Sequence, residues 1–197
     1  MTSIYGPIVT GDDVEAAAKT TIGLWIPAYV DEVARQKGAT LPPVRHYGVT
    51  YPDPGDTGSQ YPSLAIYSPG ITGEPIRHGD GRQDATWALG VGVVVADTVN
   101  YKALRLAKLY GAALRALLVQ KGSLGGFATS TQWVDEETTS LGYELDRWIA
   151  DCTLMFEVRV NAVVNRFGGP TTPPPDPTVP IVEGTVQSTH TTLTRTP

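Results

Sequence analysis

The sequence predicts an α+β fold, a mostly antiparallel sheet of about four to five strands packed by two main helices. Three observations lead there. Two segments carry helical periodicity, "IGLWIPAYVDEVARQKG" and "NYKALRLAKLYGAALRALLVQKG". The closing segment alternates apolar and polar residues by twos, as an antiparallel strand with one wet face does. Between the helices lies "TWALGVGVVVAD", the most apolar run of the chain, with β-branched valines and helix-breaking glycines.

The first helix begins after "TGDD", where Thr10 with Asp12 or Asp13 supplies caps for free backbone N–H groups and negative charge at the positive end of the helix dipole. Ile22, Trp25, Ile26, Tyr29, Val30 and Val33 then share one face, which is read as core. Pro27 falls inside this pattern and predicts a kink or a helix in two pieces, and Gly38 ends it. Residues 39–84 are rich in Pro, Gly, Asp and Tyr, with short strands expected at Val44–Tyr51 and Ser63–Ser68 and an exposed loop, "YPDPGDTGSQYP", between them.

The second helix has Asp97 or Thr98 as its expected N-cap and Lys121-Gly122 as its end. Ala103, Ala107 and Gly111 form a ridge of small residues four apart, suited to close backbone approach. Two strands follow, Gln132–Glu136 and Tyr143–Asn165, with "ETTSLG" expected between them and "DEE" (135–137) as a solvated hairpin tip. In the second, Leu154, Phe156, Val158 and Val160 alternate with Met155, Glu157, Arg159 and Asn161. The domain so described is expected over residues 1–167. From 168 to 197 the chain becomes "GGPTTPPPDPTVPIVEGTVQSTHTTLTRTP", which has few residues able to build a core and reads as an extended arm whose contacts come from a neighbouring subunit or partner. Pro173, Pro174, Pro175, Ile181, Val182 and Leu193 are the residues expected to touch that partner, and "VPIVEGTVQ" has the β-branched content to add as a strand to another sheet's edge.

At 197 residues the chain suits one domain plus extras, and with 15 Lys and Arg against 20 Asp and Glu it lacks the basic footprint of a nucleic-acid binder. The single cysteine, Cys152, excludes an intrachain disulfide and a multi-cysteine zinc site, and it fits folding in a reducing cytoplasm. The start of the sequence has neither a basic region nor an apolar core, so no secretory signal is expected, and the longest apolar run, Trp87–Ala96, is about half of what a membrane-spanning helix needs.

The glycines of "TWALGVGVVVAD" raise the question of a phosphate-cradling loop. In such a loop the glycines follow the strand and open the helix, whereas Gly90 and Gly92 lie inside the strand, well before the helix cap. By parity Trp87, Leu89, Val91, Val93 and Val95 share one face, and Ala88, Gly90, Gly92, Val94 and Ala96 the other. The glycines are therefore read as a small face spaced for a close neighbour, with the Ala103-Ala107-Gly111 ridge as the expected partner. His46, His78 and His190 sit in three segments without metal-site spacing. "RHGDGRQD" (77–84) is a turn before it is a catalytic loop, and Cys152 reads as a buried structural thiol. Arg105, Lys108 and Arg115 fall on one side of the second helix, a solvated face or a basic strip able to meet phosphates or an acidic partner. No catalytic residue, cofactor or metal is called for by these patterns, and a core with a partner-seeking arm points to an assembly protein.

This order of elements resembles the tail terminator proteins of long-tailed bacteriophages, including those of actinobacteria. The likeness spans roughly residues 10–165 and is carried by "IGLWIPAYVDEVARQKG", "YPSLAIYSPG", "WALGVGVVVAD" with "NYKALRLAKLYGAALRALL", and "WVDEETTSLGYELDRWIADCTLMFEVRVNAVV". The resemblance implies a structural virion protein at the neck, made in the host cytoplasm. It implies a hexameric ring that ends polymerisation of the tail tube, offers a surface to the head connector or stopper protein, and lets genomic DNA pass without sequence-specific binding. The chain departs from small members of the family in its 168–197 extension and in a Pro-rich insertion near 52–62. Two other readings are a different neck component, such as a head completion or stopper protein, and a nucleotide-binding enzyme built around Gly90 and Gly92.

Overall fold

The computed structural model describes residues 8–48, 60–144 and 146–165. The element order is α1 (Gly11–Lys37), β1 (His46–Gly48), β2 (Ser63–Arg77), β3 (Arg82–Asp97), α2 (Asn100–Gln120), a short 3-10 turn (Leu124–Gly126), β4 (Ser130–Glu144) and β5 (Arg147–Asn165). The strands form a five-stranded sheet in the order β1-β2-β3-β5-β4. Only the β1–β2 pairing is parallel, so the α+β class with a mostly antiparallel sheet holds. The arm residues, including Pro173, Pro174, Pro175, Ile181, Val182 and Leu193, lie outside the described residues, as do His190, residues 49–59 and with them most of "YPDPGDTGSQYP".

Helix α1 starts where its acidic first turn predicts. The Asp13 carboxylate accepts hydrogen bonds from the Thr10 backbone N–H and hydroxyl, both at 2.8 Å, and this holds the carboxyl below its usual range. The two-piece reading of Pro27 is corrected, because the helix runs unbroken through it to a left-handed Gly38. Ile22, Ile26 and Val30 are buried as expected, but Trp25 sits at the rim with 39% of its surface exposed. Helix α2 is capped one residue later than predicted, at Val99, whose N–H donates to Asp97 Oδ1 at 3.0 Å.

Both helices cover one face of the sheet. Their buried residues form one core with the large face of β3 (Trp87, Leu89, Val91, Val93, Val95) and with Cys152, Leu154, Phe156 and Val158 of β5. The expected partner of the glycine face is therefore wrong. Of the Ala103-Ala107-Gly111 ridge, Gly111 packs on β5, where a Cβ would overlap Cys152 Sγ, while Gly90 faces away from the helices and the Tyr67 ring occupies the space a Cβ would need. Tyr67 lies on the strand paired with Gly90, and its hydroxyl reaches across to Met155 Sδ on the far side (4.0 Å). Sequence parity identified the two faces, but not which one the helices cover.

The last hairpin also differs. "ETTSLG" lies within β4, and the chain reverses between Glu144 and Arg147, with Asp146 at φ 61°. "DEE" is consequently mid-strand, with no hairpin tip there. "RHGDGRQD" is the β2–β3 turn: the His78 and Gly81 N–H groups donate to the Arg82 and His78 carbonyls at 2.9 and 3.0 Å.

Candidate assembly interface

Strand β4 lies at the border of the sheet and pairs only with β5 among the described residues. An edge strand presents a row of unpaired N–H and C=O groups, and natural sheets usually blunt it with charge, bulges or short length. Here the strand is long but twice bulged, between Trp133 and Asp135 and between Ser140 and Gly142. Its middle is acidic (Asp135, Glu136, Glu137) and its ends are apolar, with Trp133 and Val134 at one end and Leu141 and Tyr143 at the other, all between 42% and 56% exposed. Such a strand discourages indiscriminate pairing while keeping two apolar patches for a complementary surface.

The patches are held in place. Glu136 takes a charge-assisted bond from Arg115 of α2, whose guanidinium lies over the Trp133 ring at 4.9 Å from its centre. Trp133 Nε1–H donates to the Asp135 carbonyl at 3.0 Å, so the indole is tied to its own bulge. At the other end Tyr143 packs against Trp148 with ring centres 5.3 Å apart.

The basic strip is thus divided. Arg115 is engaged with β4, Lys108 is exposed, and Arg105 lines a cleft of about 370 Å³ between the start of α2 and the 38–42 segment, beside Asp97, Tyr101 and Lys102.

His78 and Asp84 meet as a pair with a structural task. The buried Asp84 carboxylate accepts from His78 Nε2 (2.9 Å), Arg159 Nη2 (3.4 Å) and the Ala162 N–H (2.9 Å), and the last of these is the main reason its carboxyl is held below the usual range. Ala162 is left-handed (φ 54°) where β5 bulges against β3, so Asp84 pins a bulge. Cys152 is buried under α2, and burial pushes its thiol up. Gly90 pairs with Tyr67 on one side and Met155 on the other, and Gly92 with Ala65 and Thr153, so these backbones lie within a ladder and do not open a helix. Among the described residues no three His, Cys, Asp or Glu side chains come together as a metal would need, and no helix is long and apolar enough to cross a membrane. The β4 patches escaped sequence reasoning because the hairpin was placed inside "ETTSLG", which hid the length of the edge.

No protein-family model matches the chain, and no curated protein is significantly similar to it. Among solved structures it is similar to a chain of the virion of a native gene transfer agent particle, at 14% identity and a TM-score of 0.36, covering 66% of this chain and 84% of that one. A likeness this loose carries no argument about function.

Proposed function

We propose that the protein is a structural component of a phage-like virion, a tail terminator that forms a hexameric ring at the head-proximal end of the tail tube. The observation that carries this reading is the β4 edge, with its apolar ends and acidic, bulged middle, which is built for a specific partner and against random pairing. The order of elements supports it, since the resemblance to tail terminators is carried by that order.

In this reading the ring ends tube growth, meets the tube protein on one side and the connector or stopper protein on the other, and lets DNA pass without reading its sequence. The arm braces the ring through Pro173, Pro174, Pro175, Ile181, Val182 and Leu193, and Arg105 with Lys108 supplies cationic surface for an acidic partner. Electron microscopy of virions carrying labelled copies tests the placement. A sixfold ring between tube and connector is expected, and a label on the connector side alone would assign the protein to another neck position. A chain ending at Arg166 is expected to lose tail joining; unchanged joining removes the role of the arm.

A further inference from the structure

A second surface lies away from β4. The outer side of α1 and the turn after α2 enclose a groove of about 530 Å³ whose lining includes Asp13, Leu24, Trp25, Lys121, Leu124 and Phe127. Leu24 is 71% exposed and Trp25 is half open, while Leu124 is buried and forms the floor. Lys121 Nζ stands 4.1 Å from the centre of the Trp25 ring, so the groove carries one cation beside an aromatic wall. The core is already closed by α1, α2 and the sheet, and nothing in it requires Leu24 or Trp25.

Aromatic-lined grooves take proline-rich segments, because a polyproline stretch is extended before it binds and loses little entropy on docking. This chain carries such a segment at 170–177, "PTTPPPDP", with a carboxylate, Asp176, to set against Lys121. The last described strand ends near the groove: the Val9 N–H donates to the Val163 carbonyl at 3.1 Å, so β5 ends beside the start of α1. Between Asp13 and Trp25 the helix rises about 18 Å, a span that roughly six residues of polyproline helix cover.

We infer that the groove is the seat for residues 170–177 of the arm of a neighbouring copy. The inference rests on the ring reading above. A ring closes through heterologous contacts, which require each copy to offer one surface and receive on a different one. The arm and the groove are such a pair, whereas two β4 edges meeting each other would give a closed dimer.

The test uses full-length chains with one engineered cysteine each, Leu24→Cys in one and Pro174→Cys in the other, mixed and mildly oxidised; native Cys152 is buried and does not compete. The expected result is a covalent heterodimer that forms only in the mixture, with its yield lowered about tenfold when Lys121→Glu is added to the groove copy, by the repulsion this sets against Asp176. A third chain carries both cysteines, and a link that forms there within the single chain while the mixture gives none overturns the neighbouring-copy seat. A sixfold species by native mass without any link overturns the seat and leaves the ring standing. Absence of both species overturns the inference together with the ring.

Discussion

Strands β5 and β4 are hydrogen-bonded to each other from Glu144↔Arg147 to Ser130↔Arg159, yet they live in different environments. β5 has a strand on each side and α2 above it, and Cys152, Leu154 and Val158 are fully buried. Among the described residues β4 has one strand beside it, and its apolar side chains stay half in water. Hydrophobicity alone does not tell core from interface. Leu154 and Leu141 are the same residue type one strand apart, and among the described residues only the first is enclosed.

The widest gap should appear on truncation. Leu154→Ala is expected to cost about 3 kcal/mol of unfolding free energy, since it leaves a cavity in a closed core, whereas Val134→Ala should cost under about 0.5 kcal/mol. Denaturant titration checks both, and equal costs would erase the contrast between the strands.

Next comes the contact between α2 and β5. Gly111→Ala gains helix propensity but sets a methyl group against Cys152 Sγ, for an expected net loss of about 1–2 kcal/mol. Adding Cys152→Ala should recover part of that loss, and a strictly additive double mutant would show that the two positions do not touch.

Asp84→Asn is expected to cost about 1 kcal/mol at neutral pH, because the carboxylate that pins the Ala162 bulge becomes a weaker acceptor. The folded-state pKa of Asp84 is lowered, so its contribution is full above the unfolded carboxyl range and disappears as pH falls through the folded value. The variant and the parent should therefore converge only as pH falls through that lowered folded value, which thermal melts from pH 7 down to about pH 2 will read.

The smallest effect has the opposite sign. Asp151 lies on the face away from the helices, burial raises its carboxyl, and its Oδ1 has no partner. With a raised folded-state pKa the group costs stability that grows as pH rises from the unfolded carboxyl range and is full above the folded value, so Asp151→Asn should stabilise by a few tenths of a kcal/mol at pH 7, a figure kept small by the side chain's partial exposure. The gain should vanish near pH 3, where both states are protonated.

Much of the fold was legible because periodicity reports burial. The two helices, the order of elements, the parity of β3 and the core face of β5 all follow from spacing. What escaped depended on non-local contacts. Trp25 fits the apolar face of α1 by spacing, but no element of the described chain covers it, so it became a groove wall. Gly90 reads as a close-approach site, and it is one, but the visitor is a tyrosine from the adjacent strand. Arg115 looks like part of a solvated stripe, and only the position of Glu136 on β4 shows why it turns inward. The residues of the candidate interface were visible as apolar letters in "WVDEETTSLGY"; their role was hidden until β4 was seen at the edge.

In the proposed function β4 and the surfaces beside it serve assembly at the end of a tube. The most direct measurement is electron microscopy of tail tube protein polymerising in the presence of the chain. Tubes that stop growing and carry one sixfold ring at a single end are expected, with the ring lost for Leu141→Asp although that variant keeps its melting temperature. Tubes that grow to the same lengths with bare ends, with or without the protein, would contradict it.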